Sequence, residues 1–558
     1  MKSGQKTGFN PVHAAIIVLF TFLIYYNCLG NGFVRDDTTQ ILRNPWIRSF
    51  SNFPAPFKAN VWAFQGKLSA YYRPVMHVAY MFTYAFSGLK PWGYHLASVL
   101  MHAANSVLVY EIAGMFTGGM GALAAGLVFA AHPLHAEAVD WAAGYPDLLA
   151  AFFSLLSFLV FARYSRRQAE GRSGYVKYLA VEFLLLMAAF LSKEPAFLMP
   201  FIFIAYDIFN AGGLKTPAGL ARKYLPFPVA WAAYLTMRVY ALGSLLGPSY
   251  HSGIGPGGMI LNAILFFAGY IRKSFVPVRL NARYDYHLVT SALDPKFILA
   301  AVVTALFIVF LAVSFKKSRR LFFAGFFFAV PILPALYAHG LVDFLFCERY
   351  LYLSLAGFAI SAGIVLEKGL QTGGRYFFTG ALALLLVFYG YATFQRNTVW
   401  RNEVTLWADT FAKSPDNIVV KTQYADALRK SGRYAEAAAM YRKALAQMPY
   451  SIKIRQYLGE TLMMQGDNEG AVHVLQEAVS MNSAMPGIHY DLARAYLALN
   501  NKGAAIAEYR TGLAQSPDPA ACSQLASLLC RSGDKAGADA LYRQAFLMDN
   551  VGGQVICR

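Results

Sequence analysis

Three groups of residues in this chain have types and positions suited to chemistry. The first is an acid pair, Asp36 and Asp37, in GFVRDDTTQILRNP, immediately after an apolar segment. A carboxylate at such an edge is a candidate general base or metal ligand, although adjacent loop acids are commonly just solvated. Two ionised neighbours also repel, which raises the apparent pKa of one of them. The second group is His132, His135, Glu137, Asp140 and Asp147 in AHPLHAEAVDWAAGYPDLLA. Pro133 interrupts regular helix between the two histidines and no HExxH occurs, so a zinc pair is disfavoured. The plain alternative is a polar loop that re-enters a membrane. The third group is cationic. Lys193 stands beside Glu194 in LSKEPAF, and Arg349 beside Glu348, Tyr350 and Tyr352 in CERYLYL. An ammonium and a planar guanidinium both suit phosphate oxygens. Their plain readings are a Lys–Glu turn and an interfacial aromatic belt. There is no P-loop, no dinucleotide fingerprint and no serine nucleophile elbow, which argues against an ATP-driven or nucleotide-sugar enzyme.

The elements that must position these residues are apolar. Of 558 residues 57% are hydrophobic and only 14% charged, and the mean hydropathy is +0.39. That excludes a disordered chain and an ordinary soluble enzyme. The net charge of +19 reads as cytoplasmic loops of a membrane protein and not as a nucleic-acid surface. Five scattered cysteines without a CxxC predict no cysteine chemistry.

A bilayer crossing takes about 20 apolar residues. Eleven segments qualify, starting near residues 13, 94, 119, 147, 175, 195, 224, 295, 321, 350 and 375. The first offers no cleavage site and is read as an uncleaved helix. Basic clusters at Arg163–Lys177 (including Arg172), Lys215–Lys223 and Lys316–Arg320, with Lys2 and Lys6, are assigned to the cytoplasm. Parity then keeps 74–88 and 258–276 from crossing, and the second lies at the outer surface. All three groups of candidate residues fall outside the cytoplasm, at the outer membrane face. Ionisable residues at that depth are costly, which points to function.

The chain beyond the last apolar segment repeats. Pro415, Pro449, Ser483 and Pro517 fall on one period, with Gly432, Gly466 and Asn500, with Ala437, Ala471 and Ala505, and with Tyr441, Leu475 and Tyr509. The period is the tetratricopeptide one. A fourth unit, about 518–548, is one residue out of phase at Gly533. The expected division is therefore a membrane domain at 1–394, a connector at 395–416 and an extracytoplasmic repeat domain at 417–558. Stacked units form a groove suited to an extended peptide, or a scaffold for subunit assembly.

Taken together, FVRDDTTQILRNP, YYRPVMHVAYMFTYAFSG, GYHLASVLMHAANSVLVYEIAG, FAAHPLHAEAVDWAAGYPDLLA, LSKEPAF and ERYLYLSLAG, followed by these repeats, resemble the transmembrane-and-tetratricopeptide (TMTC-like) glycosyltransferases. The broader class is GT-C, which includes protein O-mannosyltransferases. The resemblance implies an all-α fold, a polytopic GT-C helix bundle of about eleven spans with a C-terminal tetratricopeptide solenoid. It implies transfer of a sugar from a polyprenyl-phosphate donor to an extracytoplasmic acceptor, Ser or Thr of protein. It maps the family's acid pair to Asp36 and Asp37, its phosphate-associated lysine to Lys193, and its second acidic region loosely to Glu137, Asp140 and Asp147. Arg35 stands where family members carry an acidic or aromatic residue.

The expected mechanism is a single displacement with inversion. Asp36 or Asp37 is the base, and Lys193, with Arg349 as helper, stabilises the departing phosphate. No cofactor is required, and a divalent ion at the acids is an open alternative. The expected partners are the lipid-linked sugar, membrane lipid and an acceptor peptide in the repeat groove, with no nucleic acid. The N-terminus is placed in the cytoplasm and the repeats in a bacterial periplasm or, in a eukaryote, an organelle lumen. Two other readings stand beside this one. One is a lipid-linked oligosaccharide ligase or polymerase, using His251, Arg272, Arg283 and His287 of the loop at 243–294. The other is a non-enzymatic scaffold for envelope assembly. A transporter fits less well, because no inverted repeat is visible and the acids lie away from the midplane.

Overall fold

The computed structural model describes residues 9–169, 175–210, 217–245, 255–286, 288–336 and 345–549. Lys2, Lys6, Arg172, Lys215, His251 and His287, which entered the sequence reading, lie outside them. Every extended element among the described residues is helical, with no β-strand. The chain divides into two compact units, Met1–Leu406 and Trp407–Arg558. The division falls inside the segment read as a connector.

The first unit is built from apolar helices, many of whose starts are marked by proline or a capping side chain. Helix α1 (Pro11–Tyr25) begins with Asn10 Oδ1 accepting the Val12 N–H at 2.9 Å. Pro11 follows at the first helical position, where its missing N–H costs nothing. Next come α2 (Pro74–Ser87), α3 (Pro91–Ala113), α4 (Gly119–Ala131), the short α5 (Ala136–Asp140), α6 (Tyr145–Ala169) and α7 (Tyr175–Phe190). Then follow α8 (Met199–Asn210), α9 (Pro217–Tyr224), α10 (Pro226–Leu242), α11 (Pro256–Phe275), α12 (Pro295–Lys317), α13 (Arg319–Ala329), α14 (Leu355–Gln371) and α15 (Arg375–Val399).

Five of the described stretches are long and apolar enough to cross a bilayer alone: 11–30, 91–113, 142–168, 295–317 and 375–399. A sixth forms if α4 and the segment Pro133–Asp140, bent by 47° at the break, count as one. Five further apolar helices are shorter: 16 residues in α7, 12 in α8, 17 in α10, 11 in α13 and 17 in α14. Hydropathy marked their positions, but Pro226 and loop breaks shorten the helices themselves. Helices α12 and α15 have only 11% of their apolar windows buried. They present Leu299, Leu306, Val309, Leu384 and Val387 outward, the surface a lipid-facing helix needs.

Where α4 crosses α14 the backbones nearly touch. A methyl group added to Gly121 would sit 2.7 Å from the Gly363 carbonyl oxygen, and one added to Gly363 would overlap the Gly121 carbonyl. Small residues permit this approach, which in a membrane supplies packing that lipid cannot. Gly363→Leu is expected to abolish the monodisperse detergent-solubilised species in size-exclusion chromatography. Gly380→Leu, where an added Cβ meets nothing within 4 Å, is expected to leave it intact.

Polar ties fix the C-terminal ends of α1 and α4 to α15. Thr393 donates to the Ala131 carbonyl at 2.7 Å, Asn397 to that of Ile24 at 3.0 Å and Asn27 to that of Phe394 at 3.0 Å. Asn31 donates to the Asn397 carbonyl at 3.1 Å, and the Gly32 N–H to that of Arg401 at 2.9 Å. The loop that carries Asp36 and Asp37 is thereby held against the end of the membrane unit.

Helix α16 (Glu403–Lys413) carries the boundary between units. The second unit contains four helix pairs: α17 (Ile418–Lys430) with α18 (Tyr434–Gln447), α19 (Ile452–Gln465) with α20 (Asn468–Met481), α21 (Pro486–Ala498) with α22 (Lys502–Gln515), and α23 (Pro519–Arg531) with α24 (Lys535–Asp549). Each first helix ends on a left-handed residue: Gly432 at φ 80°, Gly466 at 92°, Asn500 at 58° and Gly533 at 92°. This conformation terminates a helix and favours Gly or Asn. Ala437, Ala471, Ala505, Tyr441, Leu475 and Tyr509 are fully buried at equivalent positions. Polar bridges link successive units, Arg429 to Glu460 at 3.2 Å and Gln456 to Asp491 at 2.6 Å. Cys28, Cys347 and Cys522 are free and buried. Cys530 is disulfide-bonded, which corrects the expectation of no cysteine chemistry.

Candidate functional site at the first loop and the Lys193–Arg349 cluster

The two acids of the first loop differ in kind. Asp37 is 0% exposed. Its Oδ2 accepts the Val34 N–H at 2.9 Å and its Oδ1 the Ala143 N–H at 2.7 Å. Both oxygens are thus engaged by backbone, one of them across 106 residues. Asp36 is only part-buried. Among the described residues its carboxylate has no hydrogen-bond or ion-pair partner, while its carbonyl starts the turn by accepting the Thr39 and Gln40 N–H groups. Between Val34 and Asp36 the backbone takes an unusual path, with Arg35 at φ 53° and its N–H donated to Glu403 Oε1 at 2.7 Å.

Burial pushes the Asp37 carboxyl up to about 8. The two N–H bonds pull it down, and the charges of Asp36 and Glu403 add to the rise. An acid raised in the folded state contributes stability that is complete below its unfolded pKa and is lost as pH climbs to the folded value. For Asp37 that window runs from 3.8 to about 8. The melting temperature of the detergent-solubilised protein is expected to fall across this window as pH rises. Asp37→Asn, which cannot titrate, is expected to flatten the slope. Equal slopes in the two proteins would remove Asp37 as its source.

The candidate cations lie in ion pairs that join distant segments. Lys193 Nζ reaches both Asp147 oxygens at 2.6 Å, across 46 residues, with both side chains buried. Arg349 pairs with Glu137 through its side chain, across 212 residues, and donates its backbone N–H to Glu137 Oε2 at 3.1 Å. Arg73, just before α2, binds Glu194 through Nη2 at 2.8 and 3.0 Å and through Nε at 3.2 Å.

Two aromatic rings connect these cations to the first loop. The Arg35 guanidinium lies 4.6 Å from the centre of the Trp141 ring, and the Arg349 guanidinium 5.0 Å from the same ring. Arg349 is also 5.2 Å from the Tyr350 ring, and Lys193 Nζ is 5.5 Å from it. Cation and ring thus alternate in the order Arg35, Trp141, Arg349, Tyr350, Lys193. Trp141 further stacks on Trp400 at 6.3 Å and shares a cluster with Val34 and Ala143. The acid pair and both candidate phosphate-binding cations therefore belong to one continuous arrangement.

The second group of candidates separates. Glu137 and Asp147 join the cations. His132 does not: its Nε2 is 3.0 Å from the Ser274 carbonyl, its Nδ1 accepts the Leu134 N–H at 3.3 Å, and its ring packs 4.6 Å from Tyr389. His135 is packed against Phe129 at 4.4 Å, Tyr352 at 4.5 Å and His102 at 5.0 Å, and among the described residues both its ring nitrogens lack a hydrogen-bond partner. Asp140 is fully buried beside Arg396 and Cys28. Glu348 accepts the Asn281 N–H at 2.6 Å and the Tyr284 hydroxyl at 2.7 Å, and lies 3.6 Å from Arg396. Among the described residues no three His, Cys, Asp or Glu side chains are gathered so that they could share a metal ion.

Arg73, Trp141 and Arg396 were not singled out from the sequence. Arg73 had a signal, since it is the one charge in YYRP at a helix start. Trp141 sat between two candidate acids, but a tryptophan there reads equally as an interfacial anchor.

Comparison with known proteins finds likenesses for both parts of the chain. Residues 74–237 match the dolichyl-phosphate-mannose-protein mannosyltransferase family, and residues 428–478 and 462–529 match the tetratricopeptide repeat. The chain thus joins a mannosyltransferase-type membrane segment to a repeat domain. It is TMTC-like. It is 25% identical over 524 residues to the human protein O-mannosyl-transferase TMTC3, covering 86% of this chain and 56% of that one. It is 26% identical over 504 residues to human TMTC1, covering 80% and 56%. Over a shorter stretch of 196 residues it is 35% identical to Drosophila melanogaster Tmtc2, covering 34% and 20%. The chain therefore spans little more than half the length of the first two of these relatives. The solved structure of MamA covers 26% of this chain at 17% identity with a TM-score of 0.25, a likeness from which nothing further follows.

Proposed function

We propose that this protein transfers a mannose-type hexose from a polyprenyl-phosphate donor to a Ser or Thr hydroxyl of protein on the extracytoplasmic side of a membrane. The observation that carries this reading is the run of cations and rings that joins Arg35, the residue directly before the part-exposed Asp36, to Arg349 and Lys193. A base and a phosphate site on one arrangement are what displacement at a sugar phosphate needs. The kinship with protein O-mannosyl-transferases supports the sugar and the acceptor.

In this mechanism Asp36 accepts the proton of the acceptor hydroxyl as its oxygen attacks the anomeric carbon. The bond from that carbon to the phosphate oxygen breaks, and its electron pair goes to the phosphate. Lys193 and Arg349 stabilise the charge that develops there. One displacement inverts the anomeric centre. Asp37 holds the loop by its two backbone bonds and leaves Asp36 as the base. Lys193 has three N–H donors and Arg349 five, so each can keep its carboxylate partner and also meet a phosphate.

The proposed topology has eleven crossings, the N-terminus inside, and Arg163, Arg166, Arg167, Lys177 and Lys316–Arg320 in the cytoplasm. Residues 1–394 are then the membrane domain, 395–416 the connector and 417–558 an extracytoplasmic repeat domain that presents an extended acceptor segment. A disulfide at Cys530 supports an oxidising compartment for the repeats. The test is transfer of radiolabelled mannose from polyprenyl-phosphate-mannose to envelope proteins by the purified full chain in nanodiscs. Label in protein supports the proposal. Transfer solely from a diphosphate-linked oligosaccharide would replace it with a ligase, and no transfer from either donor would leave a scaffold.

A further inference from the structure

One residue of the arrangement is absent from this mechanism. Arg35 stands directly before Asp36, and it is one of three non-glycine residues with positive φ among those described. A bulky side chain in that conformation is strained and persists where its surroundings over-determine it. Here they do. The Arg35 N–H is held by Glu403 at 2.7 Å, Val34 is fully buried, and Asp37 is clamped to Val34 and Ala143. The strained turn directs the guanidinium onto Trp141, the ring that Arg349 also meets. A glycine would satisfy this backbone without strain, so the structure keeps an arginine at a place where backbone geometry alone favours glycine.

We infer that Arg35 is a third binding residue for the phosphate of a polyprenyl-phosphate donor, next to Arg349 and Lys193 on the same run of cations and rings. The inference rests on the donor site proposed above and adds to it. A guanidinium presents several donors in one plane and suits phosphate oxygens. In this chain the residue before the acid pair serves the donor.

The test uses the purified full chain in nanodiscs of phosphatidylcholine, which carries no net negative headgroup charge. The probe is polyprenyl phosphate, with inorganic phosphate as the lipid-free comparison. Wild type, Arg35→Gly and Arg35→Lys are compared. Arg35→Gly is expected to melt at or above the wild-type temperature, because the positive φ is relieved. It is expected to bind polyprenyl phosphate at least tenfold more weakly, while Arg35→Lys loses less. In mannose transfer, donor KM is expected to rise at least tenfold in Arg35→Gly with kcat changed less than threefold.

Unchanged carrier affinity in a folded Arg35→Gly protein overturns the inference. So does a fall in kcat with KM unchanged, which would make Arg35 a support for the turn alone. Inorganic phosphate matching polyprenyl phosphate in affinity would overturn the lipid-carrier assignment. Carrier binding that depends on Arg35, without any sugar transfer, would leave the inference standing and remove the transferase reading.

Discussion

Asp36→Asn is expected to lower hexose transfer by about 10²–10⁴-fold, the usual contribution of a positioned general base, and to leave the protein folded. Its side chain has no partner among the described residues and is part-exposed, so the amide replaces nothing that holds the loop. Asp37→Asn is expected to do the opposite. One of its two oxygens becomes an amide nitrogen facing a backbone N–H, from Val34 or from Ala143. A buried donor left unmatched costs about 1–3 kcal/mol, so activity should fall only in step with the amount of folded protein. Intact-protein mass spectrometry of the extracytoplasmic fraction, at equal membrane abundance, separates the two. Hexose-bearing masses that persist with Asp36→Asn would assign the base elsewhere.

The second large effect concerns the buried pair of Lys193 and Asp147. Removing one partner leaves an uncompensated charge, at a cost of about 3–5 kcal/mol. Lys193→Gln and Asp147→Asn are each expected to lower thermal stability by that order. The double variant Lys193→Met/Asp147→Leu carries no buried charge and is expected to recover most of the stability, as apolar replacements of buried pairs commonly do. Its folding should return while donor binding does not, because the ammonium is gone. A double variant that transfers sugar at the wild-type rate would show that Lys193 is present for folding alone.

What the sequence made legible follows from the range of the forces involved. The repeat domain was readable in detail because each unit restates one local rule. The positions that needed a left-handed residue, Gly432, Gly466, Asn500 and even the out-of-phase Gly533, are the ones that have it. Apolar segments were readable, but their helix lengths were not, since hydropathy records composition and not where a chain bends. The candidate acids and cations stood out as charges in apolar surroundings. Their pairing did not, because Lys193 with Asp147 and Arg349 with Glu137 are brought together by helix packing across 46 and 212 residues. His132 and His135 show the limit of reasoning from residue type. Their types placed them among the candidates for chemistry, and packing instead surrounds His135 with Phe129, Tyr352 and His102. The division of labour between Asp36 and Asp37 was equally invisible, since it depends on which of two neighbours faces Ala143.

The clamp on the first loop also sets an order of events during synthesis. Asp37 emerges early, yet its partner Ala143 follows 106 residues later, which at about 5–20 residues per second is roughly 5–20 s. The Glu403 oxygen that holds the Arg35 N–H follows 368 residues later, roughly 20–70 s at the same pace. Through that interval the loop carries its two acids with none of the contacts that later bury Asp37, and the strained turn at Arg35 has nothing to hold it. The first loop and the donor site proposed beside it are therefore among the last features of the membrane unit to set. A chain stalled or cut before residue 403 would lack the Glu403 contact that holds the Arg35 turn, and its first loop would stay unfinished.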